Sequence, residues 1–275
     1  MQYFIKSQAL KRYFFIILLA GCVLAPDLSG NQANFSKGKT VLISNMAGLT
    51  AITTWGILNW DYFKNKPIKK DEGWFSDYTK DGGLDKLGHF YFSYTLSNAL
   101  AAIYENTGYS ARQGALIGSL SSFGMTTWME IGDSFSSYGF SYEDFTMNLM
   151  GSMTGYFLYS HPGIAEKIDI RLEYRPDFNK TDFTTDYENQ KFLLALKFDG
   201  FEFAQKNYFK YLELHLGYYT KGFPDKNYRE RNIYIGVGIN ISRLFKNASM
   251  PKISKALNYI QLPYTYIKID KNLNK

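Results

Sequence analysis

Ile168-Asp169-Ile170-Arg171-Leu172-Glu173-Tyr174-Arg175 alternates apolar and charged residues without a break. A period of two belongs to a strand with two unlike faces. The pattern returns downstream. Phe192, Leu194, Leu196 and Phe198 alternate with Lys191, Leu193, Ala195 and Lys197. Leu212, Leu214, Leu216 and Tyr218 oppose Tyr211, Glu213, His215 and Gly217. Ile233, Ile235, Val237, Ile239 and Ile241 oppose Tyr234, Gly236, Gly238 and Asn240. Asp199-Gly200 predicts a tight hairpin turn, with a short strand at Phe201–Phe203 and a last strand near Tyr264–Ile269. Residues 166–275 therefore read as an antiparallel meander of five to six strands. The face of Ile233–Ile241 is expected to be among the most buried, so that Val237→Asp would be severely destabilising.

Upstream, over residues 40–165, the period is helical. Residues 41–60, 90–104, 113–129 and 145–165 carry no charge when His161 is neutral. These segments suit about four apolar helices and are marginal as membrane spans. Gly114 and Gly118 are four apart, as are Gly151 and Gly155, a spacing that lets helix backbones approach closely. Residues 64–83, with Pro67, Gly73, Gly82 and Gly83, read as a long loop. The fold class is then α+β, a helical bundle followed by a sheet. The helices are the nearest cover for the apolar sheet face, and a bilayer or a second copy is the alternative. Five or six strands are too few for the smallest outer-membrane barrel, which needs eight.

The N-terminus carries an address. Lys6, Lys11 and Arg12 precede an apolar run from Tyr13 to Ala20, too short to span a bilayer and suited to a signal peptide over residues 1–21. Leu19-Ala20-Gly21-Cys22 follows and resembles the lipobox, in which the Cys is lipidated and becomes the mature N-terminus. Residues 22–39 then form a flexible tether. Val23 after the Cys lacks the Asp-type inner-membrane retention signal, which favours the outer membrane and its periplasmic face.

Composition narrows the partners. The 275 residues include 31 Lys and Arg against 25 Asp and Glu, and removing Lys6, Lys11 and Arg12 with the signal leaves 28 against 25. No basic cluster remains to support nucleic-acid binding. A single Cys excludes a disulfide framework and multi-cysteine metal sites. Aromatic residues make up 18% of the chain, and Trp55, Trp60, Trp74 and Phe75 flank the end of the first uncharged segment as at a bilayer interface. Membrane lipid, reached through Cys22 and an aromatic-flanked helix, is the expected partner.

The candidate chemistry lies in polar pairs at the ends of the apolar segments. Asp85 and His89 are four apart and share a helix face, continued by Ser93. Glu130 and Asp133 close the third segment, and Asp144 and Asn148 open the fourth. Short connections make the helices antiparallel, which puts His89 within a few ångströms of Glu130 or Asp144. Such a cluster suits acid–base work or a divalent cation. It equally suits a structural network, with Asp85 and Asp144 at helix N-termini. His-Glu-x-x-His and repeated Glu-x-x-His metal pairings are missing, as are a phosphate loop and a dinucleotide fingerprint, so no cofactor is expected. Asp85, His89 and Ser93 lie along one stripe and do not converge as a triad. His161 before Pro162 should end a helix, and His215 on the polar strand face should be solvated.

Trp74-Phe75 with Gly83-Leu84-Asp85-Lys86-Leu87-Gly88-His89, then Glu130-Ile131-Gly132-Asp133-Ser134-Phe135, Tyr138 to Asp144 and Asn148 to Gly151, resembles the YfiM-type predicted periplasmic lipoproteins over roughly residues 45–160. A fainter likeness is to VanZ-like membrane proteins, whose Gln and Pro-Gly-Arg between Glu130 and Asp144 this chain lacks. The first resemblance implies an envelope lipoprotein and supplies no activity. The leading expectation is an outer-membrane-anchored lipoprotein with a structural or interaction role. The alternatives are an envelope hydrolase or lipid-modifying enzyme using Asp85, His89, Glu130, Asp133, Asp144 and Asn148, and a small outer-membrane barrel or pore.

Overall fold

A computed structural model describes residues 36–175, 185–223 and 228–275. The expected signal peptide, Cys22 and residues 22–35 of the tether lie outside the described residues. The fold is α+β, with helices first and an antiparallel sheet after them. The chain divides into two compact units. The helical unit holds residues 36–74 and Lys86–Ser160, and the sheet unit holds Phe75–Asp85 and His161–Lys275.

The helical unit is built from α1 (Lys37–Asn59), α2 (Leu84–Asn106, whose first two residues fall in the sheet unit), α3 (Ala111–Ser134) and α4 (Tyr142–Ser160). Ser110 opens α3 with a capping box: its hydroxyl accepts from Gln113 N–H, and the Gln113 side chain accepts from Ser110 N–H. The helices alternate in direction. Lys37 at the start of α1 lies over the Tyr109 ring between α2 and α3. Past the far end of α1, the Tyr62 hydroxyl donates to the Met129 carbonyl near the end of α3, at 2.9 Å. Near the end of α4, the Tyr159 hydroxyl donates to Glu105 at 2.6 Å.

Glycine sets how closely these helices approach. A Cβ at Gly118 would lie 2.6 Å from Ala101 N and 2.8 Å from Ser97 O, so α3 rests on the backbone of α2. The interior is small and polar as much as apolar. Ser93, Ser97, Ser121, Ser122, Thr126, Asn148 and Ser152 are buried beside Leu100, Tyr104 and Met125. The outside is apolar: Leu42, Met46, Leu58, Leu120, Met150 and Met153 are all exposed.

The sheet unit begins with the short α5 (Pro162–Ala165), after His161, and continues with five strands in chain order: β1 (Ile168–Tyr174), β2 (Gln190–Lys197), β3 (Leu212–Lys221), β4 (Glu230–Ile239) and β5 (Tyr266–Asn272). Short helices α6 (Glu202–Gln205), α7 (Ile241–Asn247) and α8 (Pro251–Ala256) fill the connections. The described residues thus hold eight α-helices rather than about four, four of them long. Residues 259–261 close onto the free edge of β1: Leu172 N–H donates to Tyr259 O and Gln261 N–H donates to Leu172 O.

Three strand-level expectations are corrected. Asp199-Gly200 is not a hairpin turn, and Phe201–Phe203 is not a strand; a 3-10 turn at Phe198–Gly200 leads into α6. The Asp199 carboxylate accepts from Asn240 Nδ2, and Phe201 and Phe203 pack their rings together. The fourth strand stops at Ile239 because Asn240 turns to cap α7, accepting from Arg243 N–H.

The third correction concerns which face is buried. Val237 is 42% exposed, and Ile235, Ile267 and Ile269 are more so. The charged face is the interior one. Arg171 bonds Asp169 at 2.6 Å and Glu213 at 2.7 Å, and Lys197 bonds Asp169 at 2.7 Å. Glu173 accepts from Lys191 at 2.8 Å and from the Tyr266 hydroxyl at 2.6 Å. His215, expected to be solvated, is buried with Nε2 2.8 Å from Glu213. Buried charges persist only when paired in this way.

Candidate functional site

The end of the helical unit where α2 and α4 begin and α3 finishes carries a chain of polar contacts. The Ser122 hydroxyl donates to the Ser93 carbonyl at 2.8 Å, tying α3 to α2. The Ser93 hydroxyl donates to Asn148 Oδ1 at 2.9 Å, and Asn148 Nδ2 donates to Glu130 Oε1 at 2.9 Å. Glu130 lies 3.2 Å from His89 Nδ1, and His89 Nε2 lies 3.8 Å from Asp144. The Lys86 ammonium then joins Asp144, at 2.8 Å, to Glu72, at 2.6 Å. Local sequence positions each group. His89 sits one turn inside α2, Asn148 one turn after Asp144 on α4, and Ser141 caps α4 by accepting from Asp144 N–H at 3.2 Å.

His89, Glu130, Asp133, Asp144 and Asn148 are thus brought together by three helices. Asp85, one turn before His89 on the same helix, falls in the sheet unit. Ser93 bonds Asn148 and does not complete a triad with His89. Sequence reasoning missed Lys86 and Glu72 as members. Lys86 was visible inside the Asp85–His89 motif as a cation next to an apolar face, but Glu72 lies in a loop where no period marks it.

Electrostatics separate the members. Burial lowers the pKa of the His89 imidazole, but the carboxylates of Asp144 and Glu130 outweigh it and hold the imidazole up at about 10. Burial pushes the Glu130 carboxyl up, with His89 and Asn148 pulling against it. Asp133 is pushed up to about 8 by burial first and by the nearby Glu130 charge second. Burial and the neighbouring Asp133 also raise the Tyr62 phenol. Near neutral pH the site therefore holds a protonated imidazole and a protonated Asp133. Its His89 side chain keeps 18% of its surface exposed.

Residues 71–160 match the family described as predicted periplasmic lipoprotein (DUF2279). The matched segment holds Glu72, Lys86, His89, Glu130, Asp133, Asp144 and Asn148, and it ends with α4, before the sheet. It begins at residue 71 rather than near 45. No curated protein and no solved structure matches the chain.

Proposed function

We propose that this chain is a lipoprotein of the bacterial envelope, anchored at the outer membrane through Cys22, with a structural or interaction role. The family match over residues 71–160 supports the envelope assignment. The lipobox-like Leu19-Ala20-Gly21-Cys22 supports the anchor. The observation that carries the non-enzymatic role is the imidazole of His89, set between Glu130 and Asp144 and protonated up to about 10. Two flanking carboxylates favour the charged imidazole, which suits an ion-pair link between helices. Its charge contacts with Glu130 and Asp144 link α2 to α3 and α4 at one end of the bundle, which is structural work.

The second reading, an envelope hydrolase or lipid-modifying enzyme, is favoured by Asp133. A carboxyl raised to about 8 is a proton donor at neutral pH, and perturbed acids of this kind gather at active sites. The two readings separate in one variant. In the structural reading, His89→Ala lowers the stability of the purified protein, and envelope-stress complementation falls with its abundance. In the enzymatic reading, melting is nearly unchanged and complementation is lost. The anchor has its own test: Cys22→Ala stops maturation and labelling with palmitate, and continued labelling would exclude the lipoprotein assignment.

A further inference from the structure

We propose that the helical unit is embedded in a lipid bilayer, with the outer faces of α1, α3 and α4 against acyl chains. This reading goes beyond attachment through Cys22 and does not depend on it. A bundle in water keeps most of its large apolar side chains inside, whereas here many also line the outside. Of the 23 residues of α1, only Trp55 and Gly56 are buried. Leu42, Met46 and Leu58 on α1, Leu120 on α3, and Met150 and Met153 on α4 are exposed. Beside the apolar cluster of Leu100, Tyr104 and Met125, the helix–helix contacts use glycine and hydroxyl groups, as in membrane bundles, where apolar burial does not drive association.

The apolar girdle approaches the thickness of a bilayer core, which α1 alone spans in full. Residues 41–60, 90–104, 113–129 and 145–160 contain no Asp, Glu, Lys, Arg or His. At 1.5 Å per residue these stretches are about 22–30 Å long, against a hydrocarbon core of about 30 Å. α1 is long and apolar enough to cross a membrane on length and composition. Charge returns at both ends of the girdle. Lys37, Lys39, Glu105 and Arg112 mark one end. At the other end stand Asp61, Lys64, Lys86 and the cluster of His89, Glu130, Asp133 and Asp144, which lies outside the girdle.

Several polar groups within the girdle are satisfied within their own helix or between helices. The Thr154 hydroxyl donates to the Met150 carbonyl at 2.8 Å, and the Thr53 hydroxyl donates to Leu49 O at 2.7 Å, each within its own helix. Asn45 Nδ2 reaches Ser121 Oγ at 3.0 Å across the α1–α3 contact, and Trp128 Nε1 donates to Thr53 Oγ1 at 2.9 Å. Internal satisfaction of this kind is what a solvent without hydrogen bonds demands. A second copy would cover one helix face, whereas the apolar surfaces here belong to three helices. Lipid is the occupant that reaches all of them.

The test uses the full chain in vesicles of phosphatidylethanolamine and phosphatidylglycerol, carrying Leu120→Cys or Met153→Cys, with Lys64→Cys as the rim control. The unsubstituted chain is run in parallel as the background from Cys22. Both girdle positions lie on exposed surface, so the substitutions spare the packing. In a bilayer, a charged maleimide labels the girdle positions far more slowly than Lys64→Cys until detergent is added. A fluorophore placed at the girdle positions is also quenched by nitroxide-bearing lipids. Equal labelling rates at girdle and rim would overturn the proposal. Slow labelling without quenching by the lipid nitroxide would overturn it too, because a second copy or another protein would then cover these faces.

Discussion

The guanidinium of Arg171 touches Asp169, Glu213 and Gln261 inside the sheet, with almost no surface exposed. Removing one partner leaves a buried charge uncompensated, so Glu213→Ala should cost about 3–5 kcal/mol in denaturant unfolding. His89→Ala, in the structural reading, should cost about 1–3 kcal/mol, because Glu130 and Asp144 lose a shared partner. The proximity of His89 to Glu130 was legible in the sequence, since residues four apart share a helix face and short connections make helices antiparallel. The burial of Arg171 and Glu213 was not legible. A period of two says that the two faces differ and does not say which face looks inward. Only the pairing of charges across strands 42 residues apart makes the polar side the interior.

At the scale of elements, α2 and α3 are fitted backbone to backbone. Gly118→Val would press a side chain onto Ala101 N and Ser97 O and should cost about 1–3 kcal/mol or more. Gly124 on the same helix has open space where a Cβ would go, so Gly124→Ala should raise stability by about 0.5–1 kcal/mol through helix propensity alone. Thermal melting of the two variants side by side checks whether close approach, rather than glycine content, governs this helix. The sheet calls for the opposite of the sequence expectation: Val237→Asp, on an outward position, should cost no more than about 1 kcal/mol, the span of strand propensity. The helical and strand halves were legible because their periods differ. The connection after β2 was not, because Asp-Gly is turn chemistry wherever it stands. What bends the chain there is a bond from Asn240, 41 residues later.

For the molecule as a whole, pH sets stability through the cluster. An unfolded imidazole titrates near 6.5 and the folded His89 at about 10, so its stabilisation is complete below 6.5 and is lost as pH rises through about 10. Asp133 moves from 3.8 to about 8, so the folded state also holds that proton longer, and stability again falls as pH rises through about 8. Both slopes have the same sign between 6.5 and 8. The melting temperature of the helical unit should therefore be lower at about pH 9 than at about pH 6, and His89→Gln should flatten the alkaline part of that fall. The closure of residues 259–261 onto β1 bears on synthesis. Leu172 receives its partner only after some ninety further residues have been made. β1 therefore emerges before the segment that covers its edge, whether the chain leaves a ribosome or, once exported, a translocation channel. Until that cover arrives the edge of β1 is open to pairing with another chain and to proteases, so a stop codon between residues 198 and 258 should yield clumped or degraded product rather than a shortened sheet.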